Sequence, residues 1–169
     1  MDISLSELLE SRDNRQSKQQ ELIDAYQQPV VSLTLVMPGP TKKNESTAKL
    51  APVGVSAIEQ AFGEAAVIYA SEYDLPTGFE AFFVVSMTEE EAKTIACDIE
   101  DNHPLGRLFD IDIIGKNKIP VSREQIGRPP RKCLLCDRNS RDCMRNQTHE
   151  LSDLLNKIQE MINTSSFYV

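Results

Sequence analysis

The sequence predicts an α+β fold, and three observations carry that expectation. Residues 30–37 (VVSLTLVM) form a β-branched run that is apolar on both faces. Residues 66–73 and 79–86 are two further strand-like runs joined by a turn holding Pro76 and Gly78. The segments around them space their leucines, isoleucines and alanines at helical intervals.

Taken in order, residues 4–27 read as a helix with Leu5, Leu8, Leu9, Leu22, Ile23 and Tyr26 on one stripe. In its middle that stripe meets Arg12, Arg15, Gln16 and Gln19. Polar side chains there mark either a helix leaving the core or a face turned toward a site. The 30–37 run follows as a buried strand, stopped by the PGP of 38–40. A helix over 44–62 comes next, weakened by Pro52 and Gly54, and then the two strands at 66–73 and 79–86. Thr88 and Glu91 make a capping box for a helix running to Glu100, with Ala92, Ile95, Ala96 and Ile99 inward. A strand at 108–114 leads through a short hairpin to 118–122, and a helix over 149–163 closes the chain. The central order β-α-β-β-α-β is the split arrangement of a ferredoxin-like two-layer sandwich. Here it is preceded by one helix and followed by a Cys/His knuckle and a final helix. Other two-layer α/β sheets share such an order.

At 169 residues, 40% hydrophobic and 26% charged, the chain is expected to be a single domain spanning 1–169. No apolar run approaches a membrane span, and MDISLSELLESRD lacks the pattern of a secretory signal, so a cytoplasmic protein is expected. The net charge of −8 argues against a nucleic-acid binder. That charge is uneven: residues 123–145 carry seven basic and three acidic side chains, +4 locally, which leaves −12 elsewhere. Such a segment suits a small polyphosphate or an acidic protein partner. It equally describes a loop whose arginines pair with acids elsewhere.

Four sets of residues are able to do chemistry. On the 108–114 strand, Asp110 and Asp112 alternate onto one face, roughly 7 Å apart at their Cα atoms. The pair is either two solvated surface acids or a seat for Mg2+, which binds through one or two carboxylates plus phosphates. His103 and Arg107 lead into that strand, a candidate general base and a candidate phosphate ligand. The loop Pro38-Gly39-Pro40-Thr41-Lys42-Lys43 joins a strand to a helix, a place where phosphates bind, though it lacks the P-loop pattern. Finally, Cys133, Cys136, Cys143 and His149 form C-x2-C-x6-C-x5-H. That set suits a structural Zn2+ site with all four positions filled by protein; the alternative is a group of reduced thiols beside a histidine that opens the last helix.

Together SRDNRQ (11–16), PVVSLTLVMPGP (29–40), HPLGRLFDIDI (103–113), PPRKCLLC (129–136) and THELSDLLN (148–156) resemble the apo-citrate lyase phosphoribosyl-dephospho-CoA transferase (holo-citrate lyase synthase) family. The resemblance implies a nucleotidyl-type transferase. Its donor would be triphosphoribosyl-dephospho-CoA, its acceptor a serine on the acyl carrier subunit of citrate lyase, and its leaving group pyrophosphate. Set beside that chemistry, Asp110 and Asp112 would hold the metal and His103 or an aspartate would take the serine proton. Arg12, Arg15, Lys42, Arg107, Arg128 and Arg131 would bind phosphates, and the basic segment would dock an acidic carrier. Two other classes stay open: a non-catalytic zinc-pinned module that binds a carrier protein, and a nucleotidyltransferase with a different acceptor.

Overall fold

The structure is a computed structural model and describes residues 1–165. Four strands, β1 (Val30–Leu35), β2 (Val67–Leu75), β3 (Gly78–Val85) and β4 (Phe109–Ile114), form one sheet in the order β2-β3-β1-β4. Every neighbouring pair is antiparallel. Helix α2 (Glu45–Phe62) joins β1 to β2, and α3 (Glu89–Asn102) joins β3 to β4. Each crossover therefore links two parallel strands with a third strand between them.

Strand alternation decides what each face of the sheet covers. Val31 and Leu33, Phe83 and Val85, and Phe109, Ile111 and Ile113 point to one face, where α2 and α3 add Leu50, Ile58, Ala96 and Ile99. The last helix, α5 (Leu151–Thr164), drives Ile158 and Ile162 into the same core. Helix α1 (Leu5–Tyr26) belongs to the opposite face, where Leu22 and Ile23 join Val30, Phe82, Val84 and Ile114 in a smaller core. The expected two-layer arrangement thus gains a third layer from the N-terminal helix.

Local signals explain the helix starts. Ser4 with Glu7, Asn44 with Thr47 and Thr88 with Glu91 each close a capping box, the last as its sequence predicts. Pro52 does not break α2. It sits on the exposed side, where the Ala48 carbonyl that loses its usual donor also lies. Gly54 lets α2 approach the sheet closely: a Cβ there would stand 3.1 Å from Leu33 Cδ2 and 3.3 Å from Phe109 Cε1.

The turn into β4 is tighter still. A Cβ on Gly106 would lie 2.1 Å from the Ile99 carbonyl oxygen in the last turns of α3. Backbone cannot yield as a side-chain tip can, so Gly106→Ala is expected to destabilise the fold by about 3 kcal/mol. Urea denaturation measures this; an unchanged midpoint would contradict the close approach.

After β4 the expected hairpin forms only in part. Gly115 N–H donates to Ile119 O and Val121 N–H to Ile113 O, with one bridge between Ile114 and Pro120 and no second strand. A short helix that periodicity does not reveal, α4 (Ser140–Asn146), lies within the Cys/His segment.

Candidate active site and metal cluster

The face of the sheet beneath α1 changes character along its length. At one end a row of Val84, Val30 and Ile114 is apolar and meets Leu22 and Ile23. One step along, Phe82, Ser32 and Asp112 form the next row, and after it come Glu80, Thr34 and Asp110. Helix α1 mirrors this gradient. Its Gln19 Nε2 donates to Ser32 Oγ at 3.0 Å, and its Arg15 Nε donates to Glu80 Oε1 at 2.8 Å. Ser11 reaches Thr77 Oγ1 at 2.9 Å. The polar interruption in the α1 stripe is therefore a face turned onto a polar strip of sheet.

A cavity of about 190 Å³ opens at this end. Arg12 and Arg15 of α1, Lys42 of the loop after β1, and Asp110 of β4 all line it. Among the described residues Arg12 makes no ion pair, and Lys42 Nζ donates to the Met37 carbonyl at 2.6 Å. Burial and then the Arg12 charge hold the Lys42 ammonium below its ordinary pKa. Two cations without carboxylate partners in one concavity call for an anion. Arg15 differs, because its partner Glu80 is buried. Arg15→Met would strand that carboxylate and is expected to cost about 3 kcal/mol. Arg12→Met should stay within about 0.5 kcal/mol of the parent. Chemical denaturation of both variants separates the two roles.

Asp112 stands next to Asp110 on this face. Desolvation, then the Asp110 charge, push its pKa up to about 6, partly offset by Lys93. Part of its surface meets solvent, yet protein surrounds enough of the carboxylate for the low dielectric to be felt. Two carboxylates that repel each other on one face, with Asp110 lining the cavity, are a donor set that a hard divalent cation would relieve.

The sequence gives little notice of Glu80. It is a lone acid in the apolar run FEAFFVV, and that position alone could have marked it. Its parity places it on the same face as the two aspartates.

His103 lies elsewhere. It caps the C-terminus of α3, its Nδ1 accepts the Leu105 N–H at 3.0 Å, and its ring packs on Phe109 with centroids 5.3 Å apart. Phe109 points to the face opposite Asp110 and Asp112, so the structure does not bring His103 to them. Burial lowers the His103 pKa below the ordinary imidazole value.

The arginines of the basic segment fall into two groups. Arg123 reaches Glu100 and Asp101, and Arg128 reaches Asp98 and Asp101, all on α3. Arg131 donates to the carbonyls of Gly106 and Arg107, lies 3.3 Å from Glu100, and stands 4.0 Å from Asp110. Glu100 also accepts the Ile111 N–H at 3.0 Å, which closes the outer edge of β4. These three arginines pin the segment to α3 and β4. Arg138, Arg141 and Arg145 make no ion pair among the described residues.

Cys133, Cys136, Cys143 and His149 converge, with their ligand atoms all within 4.8 Å of one another. Cys136 and Cys143 sulfurs lie 3.5 Å apart. Metal–sulfur bonds of about 2.3 Å in a tetrahedron need sulfurs separated by about 3.8 Å. His149 Nε2 is buried without a hydrogen-bond partner, an orphan that a metal bond would satisfy. Burial alone would raise the Cys133 thiol, but N–H groups of Leu135 and Cys136 and the neighbouring thiols outweigh it and bring the pKa to about 7. The cluster therefore has the composition and spacing of a metal site. It borders a second cavity, of about 510 Å³, which Arg107 also lines.

Among the described residues no helix is long and apolar enough to cross a membrane. A family model described as apo-citrate lyase phosphoribosyl-dephospho-CoA transferase matches residues 3–165. A protein of that name from Escherichia coli O7:K1 (strain IAI39 / ExPEC) is 37% identical over 95% of this chain and 89% of its own length. Proteins of the same name from Escherichia coli O1:K1 / APEC and Shigella boydii serotype 18 (strain CDC 3083-94 / BS512) are each 36% identical over the same shares.

Proposed function

The chain belongs to the apo-citrate lyase phosphoribosyl-dephospho-CoA transferase family, and on that premise we propose that it attaches a CoA-derived prosthetic group to a carrier protein. The donor is triphosphoribosyl-dephospho-CoA, and the acceptor is a serine on the acyl carrier subunit of citrate lyase. The serine oxygen attacks the α-phosphorus of the triphosphate. A new O–P bond forms, the α–β phosphoanhydride bond breaks, and its electron pair leaves on pyrophosphate.

One observation carries this reading: Arg12, Arg15, Lys42 and Asp110 surround a single cavity, with Asp112 beside it. The cations bind the triphosphate oxygens and stabilise the charge that gathers on the leaving group. Asp110 and Asp112 would hold Mg2+, which when bound supplies further neutralisation of the triphosphate. Arg131, close to Asp110, steadies that carboxylate. The serine proton passes to an oxygen of the aspartate pair that the ion leaves free. His103 keeps a structural task at the end of α3, away from the reacting atoms. Arg128 has a similar task, anchoring the segment to α3.

The Cys/His cluster would hold a structural Zn2+, since all four positions are protein atoms and no position is left for water. It fixes α4, whose Arg141 and Arg145, with Arg138, are the cations left to meet an acidic carrier. Residues 1–169 act as one domain, and the strand order with α2 and α3 on one face supports the ferredoxin-like sandwich. Reduced thiols in the cluster suit the cytoplasm.

Pyrophosphate release tests the reaction. With precursor, Mg2+ and apo carrier it should be stoichiometric with carrier, and it should vanish when the acceptor serine is replaced by alanine. Carrier binding without pyrophosphate would favour a non-catalytic module. Release unaffected by loss of the carrier serine would favour a nucleotidyltransferase with another acceptor.

A further inference from the structure

The larger cavity has a lining unlike the first. Val36, Leu134 and Leu154 give it an apolar wall, Gln147 and Glu150 add hydrogen-bonding groups, and Arg107 supplies its one arginine. Among the described residues Arg107 makes no ion pair. Its Nε donates to the Lys132 carbonyl at 2.9 Å, and burial, then the nearby Arg131, lower the pKa of its guanidinium. A partly desolvated guanidinium without a carboxylate partner is a ready phosphate ligand. The volume of about 510 Å³ is that of a small-molecule site.

The lining contains no Phe, Tyr or Trp, so it offers no aromatic platform for stacking a base. An apolar wall with scattered amide and carboxylate partners suits a flexible chain of methyl and amide groups instead.

We propose that this cavity receives the dephospho-CoA body of the substrate, with Arg107 on its diphosphate and the apolar wall around its pantetheine arm. The inference rests on the transferase reading and assigns the part of the substrate that the first cavity leaves unplaced. Reach is consistent with it. Arg107 and Asp110 are three residues apart, at most about 11 Å at their Cα atoms. The precursor separates its triphosphate from its diphosphate by two pentose units, a span of the same order. Placing the body here also explains why the metal cluster adjoins the site: Cys133, Cys143 and His149 belong to the cavity wall.

Calorimetric titration of the full chain with dephospho-CoA and, separately, with ADP tests the assignment. Dephospho-CoA should bind at least tenfold tighter, because ADP lacks the pantetheine arm. Arg107→Met should weaken both ligands about tenfold or more. Met144→Asp, at a cavity-lining side chain that is 76% exposed, should erase the advantage of dephospho-CoA. Equal affinities for the two ligands, or a Kd for dephospho-CoA unmoved by both Arg107→Met and Met144→Asp, would overturn the inference. If transfer to the carrier proceeds while those affinities do not move, the assignment falls and the transferase reading stands. Arg107-dependent binding of dephospho-CoA without any transfer has the opposite meaning.

Discussion

Asp110→Asn is expected to slow carrier modification by about 10²–10³-fold while leaving the fold intact, the usual scale for removing one electrostatic contact from a reacting phosphate. Asp110 lines the cavity together with Arg12, Arg15 and Lys42, and its side chain is exposed rather than part of the core. Asn keeps its volume and loses its charge. Asp112→Asn should do similar damage to the rate, with an added signature in stability. The folded chain holds the Asp112 proton up to about pH 6, against an ordinary pKa of 3.8. Proton binding therefore favours the fold at low pH, and that contribution fades as pH rises through 6. At pH 7.5 the ionised side chain is a burden, so Asp112→Asn should raise Tm there and lose the advantage near pH 4. Magnesium should raise the parent Tm at pH 7.5 and leave both Asn variants unmoved. Near-parental transfer by either variant would remove that aspartate from the mechanism.

Loss of the metal cluster is expected to have the second large effect. Between residues 128 and 150 the chain buries little: Cys143 is the one buried side chain of α4. Its backbone contacts are few, among them Cys133 N–H to Arg138 O and Ser140 N–H to Arg131 O. Order in this stretch must come largely from the four converging ligands and from the arginines held by α3. Cys136→Ser, or a strong zinc chelator, is expected to destabilise the chain by on the order of 5 kcal/mol. Limited proteolysis should then cut within 128–150 while the sheet and its helices persist. Elemental analysis should find one zinc per chain. A metal-free protein with full stability would show instead that the thiols are merely close.

Much of this architecture was legible in the residues because it is written locally. Thr88 and Glu91 announce a helix start, alternation in 109–114 separates Phe109, Ile111 and Ile113 from the two aspartates, and the cysteine spacing brings its ligands together. What stayed hidden depends on contacts between distant parts of the chain. Nothing near Arg128 says that Asp98 and Asp101 wait on α3, so the sequence does not disclose that Arg123, Arg128 and Arg131 of the charge run pair with acids elsewhere in the fold. His103 stands seven residues from Asp110 in sequence but on the other side of the sheet, a separation that only the alternation at Phe109 discloses. Glu80 escaped for a related reason: its partner Arg15 is 65 residues away. Helix α4 was missed because seven residues are too few to display a period.

The account rests on transfer of the prosthetic group, and the most direct test is the intact mass of the apo carrier subunit after incubation with this protein, magnesium and triphosphoribosyl-dephospho-CoA. The predicted result is a gain equal to one phosphoribosyl-dephospho-CoA group, absent with chelator and strongly reduced in Asp110→Asn. A carrier of unchanged mass, with folded protein that still binds the precursor, would contradict it.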